Sequence, residues 1–207
     1  MKKEYLLKKP FDFLLSLTGI IISLPLWVII SILIWAEDKG PIFYSQNRVG
    51  INGRLFKTYK FRTMLPESDQ LYGNKQAVED DTRITGVGKY LRYTALDELP
   101  QLLSILFGDM SFVGPRALLP DEIEVNEDVK ESVPIDQIPG YMNRQSVRPG
   151  LTGIAQIYAP RDINRKNKFR YDKLYINNMG ILLDLKLIFL SFWITFRGRW
   201  ESRDKKL

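Results

Sequence analysis

The stretch TALDELPQLLSILFGDMSFVGPR, residues 94–116, sets two adjacent carboxylates, Asp97 and Glu98, at the head of an apolar run. Leu99, Leu102, Leu103 and Leu106 recur at the spacing of one helical face and Gly108 closes the run, which predicts a helix beginning at Asp97 or just before it. Asp97 suits an N-cap, and Glu98 adds a second charge at the positive end of the helix dipole. Pro100 is tolerated in a first turn, where N–H groups have no intrahelical partner. Taken alone, the pair reads more readily as a helix start than as chemistry. Adjacent residues do not share a helical face, so one carboxylate could point into a site while the other binds a metal or a backbone donor.

The surroundings add to that reading. Arg92 precedes the pair by about one helical turn, Arg116 follows Pro115, and Arg148 precedes Pro149-Gly150. Each arginine alone is an ordinary surface ion-pair partner. Together with the nearby glycines they are the parts that hold a multiply charged phosphate: guanidinium forks and backbone N–H groups exposed in turns.

Composition narrows the chemistry. The chain of 207 residues contains no cysteine and no histidine. Disulfides, thiolate zinc sites and Ser-His or Cys-His nucleophile pairs are thereby excluded. Carboxylate, Lys, Arg, Tyr, Ser and Thr remain, with a hard cation on oxygen ligands as the available metal chemistry. The formal charge of +6 suits nucleic acid, an anionic membrane or a phosphate-rich substrate. The acidic run PDEIEVNEDVKESVPID, residues 120–136, reads as a solvated helix or loop.

From Phe13 to Ala36 the sequence FLLSLTGIIISLPLWVIISILIWA carries no charge over 24 residues. A straight helix of that length runs roughly 36 Å at ~1.5 Å per residue, against a hydrocarbon core of ~30 Å. The run exceeds the apolar core of a cleavable signal and leads into EDKGP, so it is expected to be retained as an anchor. Lys2, Lys3, Lys8 and Lys9 favour a cytoplasmic N-terminus. Ser23 and Pro25 sit mid-run and predict a kink. Composition leaves open whether the helix spans or bends back.

Beyond the anchor, PIFYSQNRVGINGRLFKTYKFRTM reads as a β-hairpin turning at Asn52-Gly53. Residues 65–83 read as a loop, Val87–Tyr93 as a short helix, SFVGPRALLP as extended or turning, VRPGLTGIAQI as a Gly/Pro-rich loop, and residues 163–178 as a polar helix. In the last segment, Leu182, Leu185, Phe189, Phe192, Trp193 and Phe196 form one stripe, suited to a water–lipid boundary or to a core.

These stretches, with TRITGVGKYLRYTALDELPQLLSILFGDMSFVGPR and KLYINNMGILLDLKL, follow one another as in the bacterial sugar transferase family, the small monotopic polyprenyl-phosphate phosphoglycosyl transferases. The resemblance covers most of residues 10–190. It implies an α+β, mainly helical fold: a re-entrant membrane helix over residues 1–38, broken near Ser23 to Pro25, and a cytoplasmic catalytic domain over 39–207 with a small β-hairpin and interfacial amphipathic helices. It further implies a UDP-sugar donor, an undecaprenyl phosphate acceptor, Mg²⁺ as cofactor and residence at the cytoplasmic face of the bacterial inner membrane.

By the same resemblance Asp97 is the nucleophile, Glu98 its dyad partner, and both hold the metal. The resemblance also implicates Pro115 and Arg116 in substrate binding; Arg92, Arg148 and Lys60 are read from their own chemistry as further substrate contacts, with a simple ion pair to an acid as the alternative for each. A carboxylate needs no base to act as nucleophile at neutral pH, so the absence of histidine fits.

The chain departs from the family pattern at Ala117, in place of the second proline of Pro-Arg-Pro, at Ala95, at Ile154 and at Ser23-Leu24-Pro25. The alternatives are a sugar-only transferase releasing UDP and a non-catalytic basic membrane module. Nucleic acid is not an expected partner, because Lys and Arg are scattered.

Overall fold

The computed structural model describes residues 4–66, 68, 81–126, 131–160 and 163–197. Lys2 and Lys3, most of the 65–83 stretch read as a loop, and residues 127–130 of the acidic run lie outside the described residues. Among the described residues the fold is mainly helical, with three small two-stranded sheets.

The apolar N-terminus forms one helix, α1 (Lys8–Asp38), with Pro25 inside it. Ser23 Oγ donates to the Gly19 carbonyl at 2.7 Å and accepts from Trp27 Nε1 at 3.0 Å, which braces the backbone on either side of the proline. Its burial is inverted relative to a soluble helix. Lys8, Asp12 and Ser16 are buried against the rest of the chain, whereas Ile21, Ile22, Leu24, Val28, Ile29 and Ile32 are exposed.

The expected hairpin is present. Strand β1 (Phe43–Val49) pairs antiparallel with β2 (Leu55–Phe61), from Phe43 opposite Phe61 to Val49 opposite Leu55. Asn52 and Gly53 take the positive φ values of 54° and 77° that the tight turn requires. Phe43 stacks on Phe61 at 5.4 Å and Trp27 meets Phe61 edge-on at 5.6 Å, so the hairpin docks on α1 through one aromatic cluster.

Helix α2 (Gly86–Tyr93) matches the sequence reading. Its N-cap is Thr85, whose hydroxyl accepts from Gly88 N, and Glu37 at the end of α1 accepts from Gly86 N and Val87 N.

The reading of Asp97 as a helix N-cap is corrected by the structure. Ala95 adopts the left-handed conformation (φ 54°), Leu96–Glu98 form a 3₁₀ turn, and helix α3 (Gln101–Leu106) begins only after Pro100. No side chain caps either segment. The chain reverses at Ala95 and presents the two acids on a tight turn. Leu102 and Ile105 of α3 enter the main core, and Leu99 touches both that core and a second one around Ile30, Ile34, Phe61 and Leu91.

Two Gly/Pro-rich segments far apart in sequence meet as a parallel pair, β3 (Ser111–Val113) with β6 (Gly150–Thr152). A Cβ on Gly150 would lie 2.0 Å from Gly114 N, so only glycine allows this approach. The acidic run departs from its reading as a helix or loop: β4 (Ile123–Asn126) and β5 (Glu131–Pro134) form an antiparallel ribbon. The adjoining Ile135 and Ile138 pack with Leu118 and Phe169 in a third cluster.

The remaining elements are α4 (Tyr141–Arg144), α5 (Ile154–Tyr158), α6 (Arg165–Asn178) and α7 (Ile181–Phe196). Helix α6 was legible in the sequence, whereas α5 falls where a loop was expected. On α7 the stripe of Leu182, Leu185, Phe189, Phe192, Trp193 and Phe196 faces outward, reaching 87% exposure at Phe196, while Asp184, Leu187 and Ile194 are buried. A core-packing role for that stripe is thereby excluded.

A buried polar network joins α1 to α6 and α7. Lys8 Nζ lies 2.6 Å from Asp184 and 3.0 Å from the Tyr175 hydroxyl, and the Tyr5 hydroxyl donates to Asp184 at 2.8 Å. At the other end of α1, Asp38 and Arg62 pair through both oxygens. The helix is therefore tied to the same body near both ends.

Candidate active site

The register of the hairpin builds one wall. Tyr44 pairs with Lys60, Gln46 with Thr58 and Arg48 with Phe56, so these six residues project from one face of the ribbon. The 3₁₀ turn sets its acids against that wall. Lys60 Nζ lies 2.5 Å from Glu98 Oε1 and 3.7 Å from Asp97 Oδ2. Both carboxylates are thus gathered on one ammonium, although neighbours on a longer α-helix would diverge. The Asp97 and Glu98 side chains are only 12% and 14% exposed, so these charges are weakly screened.

Lys60 and Glu98 line a cleft of about 330 Å³ together with Arg48, Thr58, Gln101 and Arg116. Asp97 is not in its lining and adjoins it through Lys60. Burial alone would raise the Glu98 carboxyl, but the charges of Lys60, Arg116 and Arg48 outweigh burial and hold it below its ordinary range. Burial and the neighbouring Arg116 bring Arg48 down to about 10.

Pro115 and Arg116 are positioned by their backbones. The Pro115 carbonyl accepts from Gly150 N at 2.9 Å and the Arg116 carbonyl from Arg144 Nη2 at 2.5 Å. The Ala117 carbonyl accepts from Arg48 Nη1 at 3.2 Å. Arg144 is itself fixed by Asp172 at 3.0 Å. A loop lacking the second proline is therefore held by two arginines. Pro115 and Arg116 also line an adjoining cleft of about 220 Å³, with Gln145 and Pro149, so Arg116 stands between the two spaces.

Arg148 is placed elsewhere. Its side chain is 3% exposed and bonds Glu4, Asp12 (2.8 Å) and the Met110 carbonyl (3.1 Å). Its guanidinium anchors the start of α1 and does not line either cleft. Arg92 is half-buried in the last turn of α2, also outside the lining of the two clefts.

Sequence reasoning missed Arg48, Thr58 and Gln101 in the cleft, and Arg144 with Asp172 behind it. The signal for Arg48 was available: two-residue alternation on a hairpin turning at Asn52-Gly53 places it on the face of Lys60.

Among the described residues no group of three or more acidic side chains gathers as a metal cage. The donor set at the turn is two carboxylates beside a cleft lined by cations. Such a set suits a hard divalent ion that takes its other oxygens from substrate and water.

The bacterial sugar transferase family model matches residues 3–198. The exopolysaccharide production protein ExoY of Sinorhizobium fredii is 36% identical over 196 residues, covering 88% of this chain and 82% of that protein. The UDP-glucose:undecaprenyl-phosphate glucose-1-phosphate transferase of Klebsiella pneumoniae is 40% identical over 198 residues, covering 92% of this chain but 40% of the relative. The UDP-N-acetylgalactosamine-undecaprenyl-phosphate N-acetylgalactosaminephosphotransferase of Aeromonas hydrophila is 37% identical, with 93% and 44% covered. The chain thus spans most of ExoY but less than half the length of the two longer enzymes, and it belongs to the bacterial sugar transferase family.

Proposed function

We propose that this bacterial sugar transferase is a phosphoglycosyl transferase, moving a sugar 1-phosphate from a UDP-sugar to undecaprenyl phosphate at the start of polysaccharide assembly. Relatives named for that reaction, with glucose and N-acetylgalactosamine donors, support the class. The observation that carries the reading is the gathering of Asp97 and Glu98 on Lys60, beside a cleft lined by Arg48 and Arg116.

In this account an Asp97 carboxylate oxygen attacks the β-phosphorus of the donor. The new O–P bond forms as the bond from that phosphorus to the bridging oxygen breaks, and UMP leaves with the bridging oxygen. An oxygen of undecaprenyl phosphate then attacks the phosphosugar phosphorus, giving the diphosphate-linked product and restoring Asp97. Both nucleophiles are anions before they react, so no histidine is required. Lys60 orients the dyad, and Arg116 with the cleft's other cations offsets phosphate charge, the main demand of phosphoryl transfer. Asp97 and Glu98 would hold Mg²⁺, which when bound supplies further neutralisation of the diphosphate.

The helix fits an anchor that enters and leaves on one side. Its 31 residues would extend ~46 Å if straight, at ~1.5 Å per residue. Yet Lys8 bonds Asp184 and Asp38 bonds Arg62 in the same domain. A transverse span would carry one of these partners across the bilayer. The exposed leucines and isoleucines of α1 and the outward stripe of α7 then meet lipid, with the catalytic domain at the cytoplasmic face of the inner membrane.

The test is nucleotide release by the protein in nanodiscs with Mg²⁺, undecaprenyl phosphate and a panel of UDP-sugars, resolving UMP from UDP. UMP that depends on lipid phosphate supports the reading and names the donor. UDP would mean transfer of the sugar alone, and no nucleotide with any donor would favour a non-catalytic membrane module.

A further inference from the structure

We propose that Arg48 is a phosphate-binding residue, forming with Arg116 a paired guanidinium clamp for the diphosphate of the nucleotide donor. This rests on the donor class argued above and adds a residue to it.

Three cations, Arg48, Lys60 and Arg116, face the cleft, against Glu98 as the one carboxylate in its lining. Glu98 is already bonded to Lys60 at 2.5 Å. Among the described residues neither Arg48 nor Arg116 closes an ion pair with an acid; both line the one cleft, where the Arg116 charge opposes that of Arg48 and Glu98, already bonded to Lys60, offsets both in part. A site of this kind is complementary to a compact polyanion.

Arg48 has donors to offer. A guanidinium carries five N–H groups. Arg48 uses one on Nη1 for the Ala117 carbonyl and one on Nη2 for Gln46 Oε1 at 2.7 Å. Those two bonds fix the fork at the cleft wall and leave the remaining N–H groups for a ligand. A bland reading makes Arg48 only a brace for the Pro115–Leu118 loop. A neutral amide could brace a carbonyl without setting a second charge beside Arg116 in a partly buried cleft, which is costly unless an anion is shared. Lowering of the Arg48 guanidinium to about 10 is the same cost seen from the proton, and at neutral pH the group remains charged.

The test uses the full chain in nanodiscs, with UDP and uridine as probes and EDTA present so that neither metal nor turnover enters. Calorimetry reads UDP, and ligand-observed NMR reads uridine. Arg48→Gln is expected to weaken UDP about tenfold or more while leaving uridine affinity unchanged, the effect of losing a charge-assisted contact. A fold defect would weaken both ligands together, so the comparison within one variant separates the two roles. Unchanged UDP affinity in Arg48→Gln, or equal loss of UDP and uridine, would overturn the clamp while leaving the donor class standing. Wild-type protein that binds neither probe would overturn the donor class and the clamp with it.

Discussion

The Lys60 ammonium lies 2.5 Å from the Glu98 carboxylate, across the space between the hairpin and the turn that precedes α3. That bond joins two segments 38 residues apart and brings the same ammonium to 3.7 Å from Asp97. Lys60→Met would leave a poorly exposed acid without its closest cation, at a cost of about 1–3 kcal/mol. We expect a lower melting temperature and at least a tenfold loss of turnover. Turnover near wild type would reduce Lys60 to a brace.

The Glu98 carboxyl is held below its ordinary range by Lys60, Arg116 and Arg48, which outweigh the opposing effect of burial. A depressed folded-state carboxyl adds stability that is fully present above the unfolded value of ~4.3 and is lost as pH falls through the folded one. Melting curves across acid pH should therefore show a weaker pH dependence in Glu98→Gln than in wild type. Identical acid limbs would contradict the assignment. Turnover should also fall in this variant.

Lys8 and Asp184 are an almost fully buried pair, with side-chain exposures of 0% and 1%. Asp184→Asn leaves an unpaired buried ammonium and should cost about 3–5 kcal/mol, with much of that recovered in the Lys8→Met, Asp184→Asn double variant. Thermal unfolding of the four proteins in one detergent measures the cycle. Additive losses would mean that the two groups do not act as a pair.

Arg148 bonds Glu4 and Asp12, so its substitution should act on stability. Arg148→Met is expected to lower the melting temperature while the folded fraction keeps its UDP affinity. Weaker UDP binding at an unchanged melting temperature would return Arg148 to the substrate site.

The chain has no cysteine, and Lys9 and Lys39 are exposed near the two ends of α1. Single cysteines at these positions should react with an impermeant maleimide from the same face of sealed vesicles. Labelling from opposite faces would establish a transverse span.

What the sequence made legible was local. The hairpin announces itself through Asn52-Gly53, and α2 and α6 fall where a short helix and a polar helix are expected. The 3₁₀ turn was hidden because leucines at helical spacing run unbroken from Leu99, while the deciding feature is the left-handed backbone at Ala95, a residue with no turn preference. The β3–β6 pairing joins segments about 39 residues apart through a glycine contact that no local pattern encodes. Arg148 looked like a phosphate ligand beside Pro149-Gly150, but its partners Glu4 and Asp12 lie at the other end of the chain. Asp97, Glu98 and Arg116, which the family resemblance groups, stand with Lys60 around one cleft, a long-range proximity that spacing does not carry.

The most direct test of the Asp97 mechanism is intact-protein mass spectrometry after incubation with a UDP-sugar that supports turnover, in the absence of undecaprenyl phosphate. The account predicts a mass gain of one phosphosugar on the wild-type chain, matched by UMP and discharged when lipid phosphate is added, with no gain on Asp97→Asn. An adduct that persists in Asp97→Asn, or UMP formed only when both substrates are present and without any adduct, would contradict it.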